Sequence, residues 1–343
     1  MAKKLIKIIF LFCFFFISTL ISLEIIARYI VKQPYYAFPE GYFVSNEFYG
    51  YELARNFKGQ YSQPEFTISI DTNSEGLRDV DRSLSKDNLK ILALGDSFAF
   101  GIGVQLRDTY LSLLEQMVNN AGGIKLSIIK AGIIGYSTYN EKIYLQRRGL
   151  DYHPNVALVQ FWWDDLGIDH LTFLADTGFL TSGKITSNAQ FRLFLNRNFR
   201  AYALLRRIFT TISKKALFKS RVVNITESQS SLSNKYAITI KEFKEIEDWC
   251  RKNHISCWFL LIPPKEFVYN NDLLQSQWES FCGLLSKNNI KYFDCLPVLK
   301  EALSKKESAF FKVDPHLNRN GHKIIAEGIY KYLLPKLIPE NNN

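Results

Sequence analysis

Three residues of this 343-residue chain have types that could work as one nucleophilic device: Ser97, His316 and Asp314. A serine hydroxyl attacks poorly until a base takes its proton. It also needs exposure at a strand end and backbone N–H donors nearby. LALGDSFAFG offers that setting, because Gly95-Asp96-Ser97 closes an apolar run and a helix can follow. The base would come from FFKVDPHLNRNGHKIIAEGIY, where Asp314 stands two residues before His316. A carboxylate there can fix the imidazole tautomer and stabilise the imidazolium formed on proton uptake. A three-residue GDS match arises by chance, and a lone histidine is more often a loop residue. The joint occurrence of Asp314, His316, Asn318 and Gly321 after the last apolar run outweighs that plainer account.

The remaining candidates carry less. His322, near the start of the last helix, reads as structural. His153, His170 and His254 are scattered, and no metal-ligand spacing is present, so no metal or cofactor is expected. Cys250, Cys257, Cys282 and Cys295 lack CxxC spacing and read as small buried apolar residues, although a disulfide is open to a chain outside the cytoplasm. Trp162 and Trp163 could line an acyl or sugar pocket or simply fill the core.

The elements that must position the triad follow from periodicity. Short apolar runs at Lys90–Leu94, Leu126–Ile129, Val156–Phe161, Trp258–Ile262 and Lys291–Phe293 predict strands. Between them, helical spacing marks Tyr110, Leu113, Leu114, Met117 and Val118 behind Asp108 and Thr109, then 138–148. Further helices are marked by Tyr236, Ile240, Phe243 and Ile246, by Leu273–Ser286, and by Ile325, Ile329 and Leu333. Alternating strands and helices predict a parallel sheet covered on both faces, with its site at the strand carboxyl ends. Residues 33–88, with alternating Phe66-Ile68-Ile70, predict short strands and loops packed on that core. Residues 166–235 interrupt the rhythm as a basic helical insertion. Its stretch Phe191–Phe218 carries Arg192, Arg197, Arg200, Arg206, Arg207, Lys214 and Lys215. Most of these charges read as a solvated face, the alternative being a surface for anionic headgroups. Thr226–Ser233 is polar and reads as a loop.

Leu5–Ile26 is apolar enough, and long enough, to span a bilayer. Lys3, Lys4 and Lys7 lie at or before its start, which predicts a cytoplasmic N-terminus; Arg28 and Lys32 reduce the asymmetry. No small-x-small cleavage pattern follows, so residues 1–32 read as a cytoplasmic stub and an uncleaved signal anchor. The expectation is a single-pass protein with its bulk outside the cytoplasm, which for a bacterial chain of the family resembled below means the periplasmic or cell-surface side of the inner membrane. The net charge of +10 fits an anionic leaflet or an acidic glycan. No zinc-finger, RNP or helix-turn-helix pattern accompanies it, so nucleic acid is not an expected partner.

On these motifs the chain resembles the SGNH/GDSL hydrolase superfamily, especially its bacterial membrane-anchored members, over about Leu89–Leu334. Gly95-Asp96-Ser97 resembles the first block. AGIIGYSTYNE resembles the second, VALVQFWWDDLGID the third, and Asp314, His316 and LNRNGH the last. TNSEGLRD resembles a segment common upstream in such proteins. The resemblance implies a three-layer α/β/α flavodoxin-like fold with a five-stranded parallel sheet, spanning 89–338. It implies Ser97 as nucleophile, His316 as base, Asp314 as orienter, and an oxyanion hole from the Ser97 and Gly135 N–H groups. The third family donor, an Asn amide, falls on Asp164 of the pair Asp164-Asp165. An ionised Asp164 repels an oxyanion, whereas burial could protonate it. The short Asp-x-His spacing also occurs in alginate-acetylating relatives and hints at acyl transfer. The expected substrate is an acylated glycan or lipid, hydrolysed or transacylated. A non-catalytic, membrane-tethered carbohydrate-binding protein is the remaining alternative.

Overall fold

The computed structural model describes residues 2–30, 38–82, 88–174, 180–181, 187–206, 208–209, 229–269 and 272–338. They divide into two compact units. The smaller comprises Met1–Phe38, Tyr61–Pro64 and Lys184–Ile225; the larger comprises Pro39–Gln60, Glu65–Gly183 and Thr226–Asn343.

The larger unit is built on five parallel strands: β1 (Leu89–Gly95), β2 (Leu126–Gly132), β3 (Val156–Trp162), β4 (Ser256–Ile262) and β5 (Tyr292–Asp294). Their spatial order is 2-1-3-4-5, the flavodoxin-like order expected above. Central strands buried on both faces need continuous apolar runs rather than alternation. Accordingly, β1 is buried from Lys90 onward and β2 throughout. The parallel register sets Gly95 beside Gly132, aligning the carboxyl ends of β1 and β2.

Helices α3 (Tyr110–Ala121), α9 (Leu296–Ser304) and α10 (Arg319–Gly328) pack together, with α3 against β2. Helix α4 (Thr138–Arg148) packs against α6 (Gln229–Lys252). From α6 and from α8 (Asp272–Lys287), Phe243 and Phe281 meet Phe161 of β3, and Phe243 stacks on Phe259 of β4 at 3.8 Å. Of the two caps anticipated for α3, Thr109 does the capping: its hydroxyl accepts from Ser112 N–H. Asp108 instead pairs with Arg319 at 2.8 Å.

Two sequence expectations change here. The stretch expected to be a loop before Tyr236 belongs to α6, which begins at Gln229; Thr226 lies outside the described residues. Ser230, Ser231, Ser233 and Asn234 are polar because they are exposed first turns, which composition does not separate from a loop. The insertion at 166–235 is divided between the two units. Residues up to Gly183 carry a small hairpin, Phe173–Leu174 with Leu180–Thr181, in the larger one. In the smaller one, α5 (Ser187–Asn198) and a helical stretch at 200–206 follow. Arg207, Lys214, Lys215 and the Arg197 side chain lie outside the described residues. The smaller unit also contains α1 (Ala2–Ile30), the one described helix long and apolar enough to cross a membrane.

Candidate active site

Glycine is required where β1 and β2 end. A Cβ on Gly95 would sit 2.6 Å from Gln160 Oε1 and 2.5 Å from Ala99 Cβ, and one on Gly132 would sit 2.4 Å from Phe100 N. Beyond Gly95, the Asp96 carboxylate caps the one-turn helix α2 (Ser97–Phe100), accepting from Phe98 N–H at 2.8 Å. Gly101, at φ +81°, ends that turn in the left-handed region. Ser97 is thereby fixed at the head of the turn, half-buried.

His316 reaches it from 219 residues away: its Nε2 lies 2.7 Å from Ser97 Oγ. On the other side, His316 Nδ1 lies 2.6 Å from Asp314 Oδ1, which also accepts His316 N–H at 3.0 Å. An ionised carboxylate only accepts. Nδ1 therefore carries the proton and donates to Asp314, leaving Nε2 as acceptor for the Ser97 hydroxyl. The His316 and Asp314 side chains keep 17% and 19% exposure, enough for a substrate to reach them. The Phe98 ring lies 4.9 Å from the imidazole and 5.1 Å from the Trp162 ring, which places Trp162 one ring away from the base.

Ser97 N–H and Gly135 N–H donate to no group among the described residues, leaving both free for an oxyanion. Gly135 holds φ +80°, and a Cβ there would stand 3.0 Å from Tyr51 Oη. The turn is braced on both sides: Tyr51 donates to Ile134 O at 2.7 Å, and Tyr136 donates to Tyr51 O at 2.6 Å.

The carboxylates behind the serine are arranged differently from expectation. Asp164 is exposed, so burial supplies no protonated donor there. It is Asp165 that is buried, together with Glu141 and Asp96. Burial, with Phe98 N–H and His316 pulling the other way, pushes Asp96 up to about 6. Burial, reinforced by the neighbouring acids, holds Asp165 and Glu141 well above the carboxylate range. Asp165 Oδ2 and both Glu141 oxygens have no hydrogen-bond partner among the described residues, as fits protonated groups.

Two charged residues that sequence reasoning passed over hold the two segments that bring Ser97 and His316 together. Arg78, 2% exposed, spends its guanidinium on main-chain oxygens: Ser69, Phe100, Gly101 and Val104, at 2.7–3.1 Å. It thus clamps the chain leaving α2. Glu65 accepts the N–H groups of Lys312, Val313 and Asp314 at 2.8, 2.9 and 2.7 Å, fixing the loop that presents Asp314. Both lie in the irregular segment before β1. Arg78 sits in TNSEGLRD, the one signal that could have drawn attention to it.

Trp163, half-buried, packs its ring against Phe267, Trp278, Phe281 and Tyr236. His322 is 1% exposed and accepts Tyr110 N–H at Nδ1. His153 and His254 occupy left-handed turns, and His170 is exposed. All five cysteines are free thiols, with Cys250, Cys257 and Cys295 buried. Among the described residues no group of His, Cys, Asp and Glu is arranged to hold a metal ion.

No protein-family model matches the chain, and no curated protein matches it. Among solved structures it is similar to an acetyl xylan esterase, AlAXEase (14% identity, 71% of this chain and 100% of that one, TM-score 0.43). It is also similar to the psychrotrophic esterase EstA from Pseudoalteromonas sp. (12%, 71% and 95%, TM-score 0.42). A third is a putative lipolytic protein of the G-D-S-L family from Desulfitobacterium hafniense (12%, 73% and 100%, TM-score 0.41).

Proposed function

We propose that this chain is a serine ester hydrolase of the SGNH/GDSL type. It removes O-acyl groups, foremost O-acetyl, from a glycan or lipid outside the cytoplasm, and α1 holds it to the membrane. The observation that carries this reading is the continuous relay from Ser97 Oγ through His316 to Asp314, at 2.7 and 2.6 Å. The N–H groups of Ser97 and Gly135, which donate to no group among the described residues, support it.

In the reaction, Ser97 Oγ attacks the acyl carbon while His316 Nε2 takes its proton, and Asp314 stabilises the resulting imidazolium. The carbonyl oxygen gains negative charge and accepts from Ser97 N–H and Gly135 N–H. The imidazolium passes its proton to the departing alcohol oxygen, leaving an acyl ester on Ser97. Water, deprotonated by His316, then attacks that ester; the carboxylic acid leaves and Ser97 regains its proton.

The experiment is labelling of the full-length protein with a fluorophosphonate probe, alongside hydrolysis of p-nitrophenyl acetate. Ser97→Ala should lose both. A folded wild-type protein that takes no label would refute the nucleophile and favour a non-catalytic glycan-binding protein. A second reading, O-acyl transfer, is favoured by the Asp314-Pro315-His316 spacing. In that case a sugar hydroxyl replaces water in the last step, and added acceptor diverts acetate from hydrolysis into ester.

A further inference from the structure

We infer that the helical insertion following Lys184 is a membrane-surface element, docked on the outer end of α1 and seated on an anionic lipid leaflet. This rests on the reading of α1 as an anchor. Along α1, from Lys3 to Ile30, every side chain is exposed except Glu24 and Ala27, which share one face. Glu24 is where the insertion meets the helix: its Oε1 and Oε2 accept Arg200 N–H and Ala201 N–H at 3.0 and 2.9 Å. A carboxylate thus caps the first turn of the helical stretch at 200–206, where a helix offers its amides no carbonyl of its own. Arg28 completes the joint, bonding Glu24 at 2.8 Å and donating to Asn198 O at 3.1 Å.

That joint sets the insertion's depth. Glu24 lies near the end of a span of about 20 apolar residues, where hydrocarbon gives way to headgroups. Helices tied there lie in the interface. Their surface suits it: Phe191, Phe194, Phe199, Leu205, Ile208 and Phe209 are all large, apolar and exposed, Phe209 by 72%. In water such side chains lose free energy; at a lipid boundary they are buried. The charge fits one kind of leaflet. Between Asp176 and Glu227 the chain has ten Lys and Arg and no Asp or Glu. Such a segment is attracted to anionic lipid, by roughly a fivefold gain in affinity per cation near the surface.

The test uses full-length protein carrying p-benzoyl-phenylalanine at Phe194, Phe209 or Phe14, irradiated in nanodiscs of phosphatidylglycerol and phosphatidylcholine. Lipid adducts are expected at all three positions. Pure phosphatidylcholine discs, or the R200Q/R206Q variant, should lower the Phe194 and Phe209 adducts at least about fivefold and leave Phe14 unchanged. Glu24→Ala should do the same by releasing the joint. Adducts at Phe14 alone, adducts at Phe194 and Phe209 to protein rather than lipid, or yields indifferent to lipid charge and to Glu24 would each overturn the proposal while leaving the anchor intact. Absence of an adduct at Phe14 would remove the anchor reading, and the proposal with it.

Discussion

Acid should weaken the larger unit through His322. His322 is fully enclosed, its Nδ1 accepts Tyr110 N–H at 3.2 Å, and its ring lies nearly parallel to that of Tyr110. Protonation would turn that acceptor into a donor facing another donor. Burial, then the charges of Arg78 and His316, lower its pKa from 6.5 to about 3. Because the folded value lies below the unfolded one, the stabilisation is complete above pH 6.5 and is lost as pH falls toward 3. Well inside that window each pH unit costs about 1.4 kcal/mol, so descent from pH 7.5 to 4.5 costs about 2.7 kcal/mol. In His322→Asn an amide oxygen can still accept from Tyr110 while the titration is gone. The smaller side chain should cost the variant about 1–2 kcal/mol at pH 7.5. The two stabilities should therefore cross, with the variant the more stable at pH 4.5. Urea unfolding of both proteins in detergent, followed by tryptophan fluorescence at pH 7.5, 6.5, 5.5 and 4.5, measures the difference and cancels the carboxylates they share. A gap constant to within about 0.5 kcal/mol over that range would refute the reasoning.

Four further outcomes follow from the site. Asp314→Asn should lower kcat/KM for p-nitrophenyl acetate by roughly 10³–10⁴-fold with the melting temperature preserved, since an amide no longer fixes the productive tautomer. Asp164→Asn should raise kcat, by about tenfold or more, because an exposed carboxylate gives way to a donor; unchanged or lower activity would show that Asp164 is no impaired oxyanion donor. Glu65→Ala should lower kcat well below wild type while fluorophosphonate labelling survives at a reduced rate, and Glu65→Gln should recover part of it, as expected if Glu65 acts only by holding Asp314. Gly135→Ala, strained at φ +80°, should slow turnover by about 10²-fold, read by steady-state kinetics against an unchanged circular dichroism spectrum.

The five strands and the relay between Ser97 and His316 were legible because they follow from local signals. Doubly buried strands read as apolar runs, and the triad residues stand beside glycines and caps that recur as motifs. The clamps were not legible. Nothing in the composition around Glu65 or Arg78 says that their partners are main-chain atoms on other loops. Which acid of the pair lies inside was not legible for a similar reason: Asp164 and Asp165 are chemically identical neighbours, and only the turn after β3 decides which one faces inward. Trp163 was ambiguous because a ring that fills a core and one that lines a pocket have the same sequence signature, and its four aromatic neighbours come from α6, α8 and the short helix Lys265–Tyr269.

The 219-residue separation between the serine and its base has a consequence for biosynthesis. While the chain is being made, β1 to β4 can assemble and the Ser97 turn can form, yet the hydroxyl has no base until the segment around His316 leaves the ribosome. Contacts of such sequence range form late, since the intervening loop entropy must be met first. A chain that stops short of His316 would therefore present the Ser97 hydroxyl without its imidazole partner. On the proposed mechanism, hydrolysis would have to wait for the segment around His316.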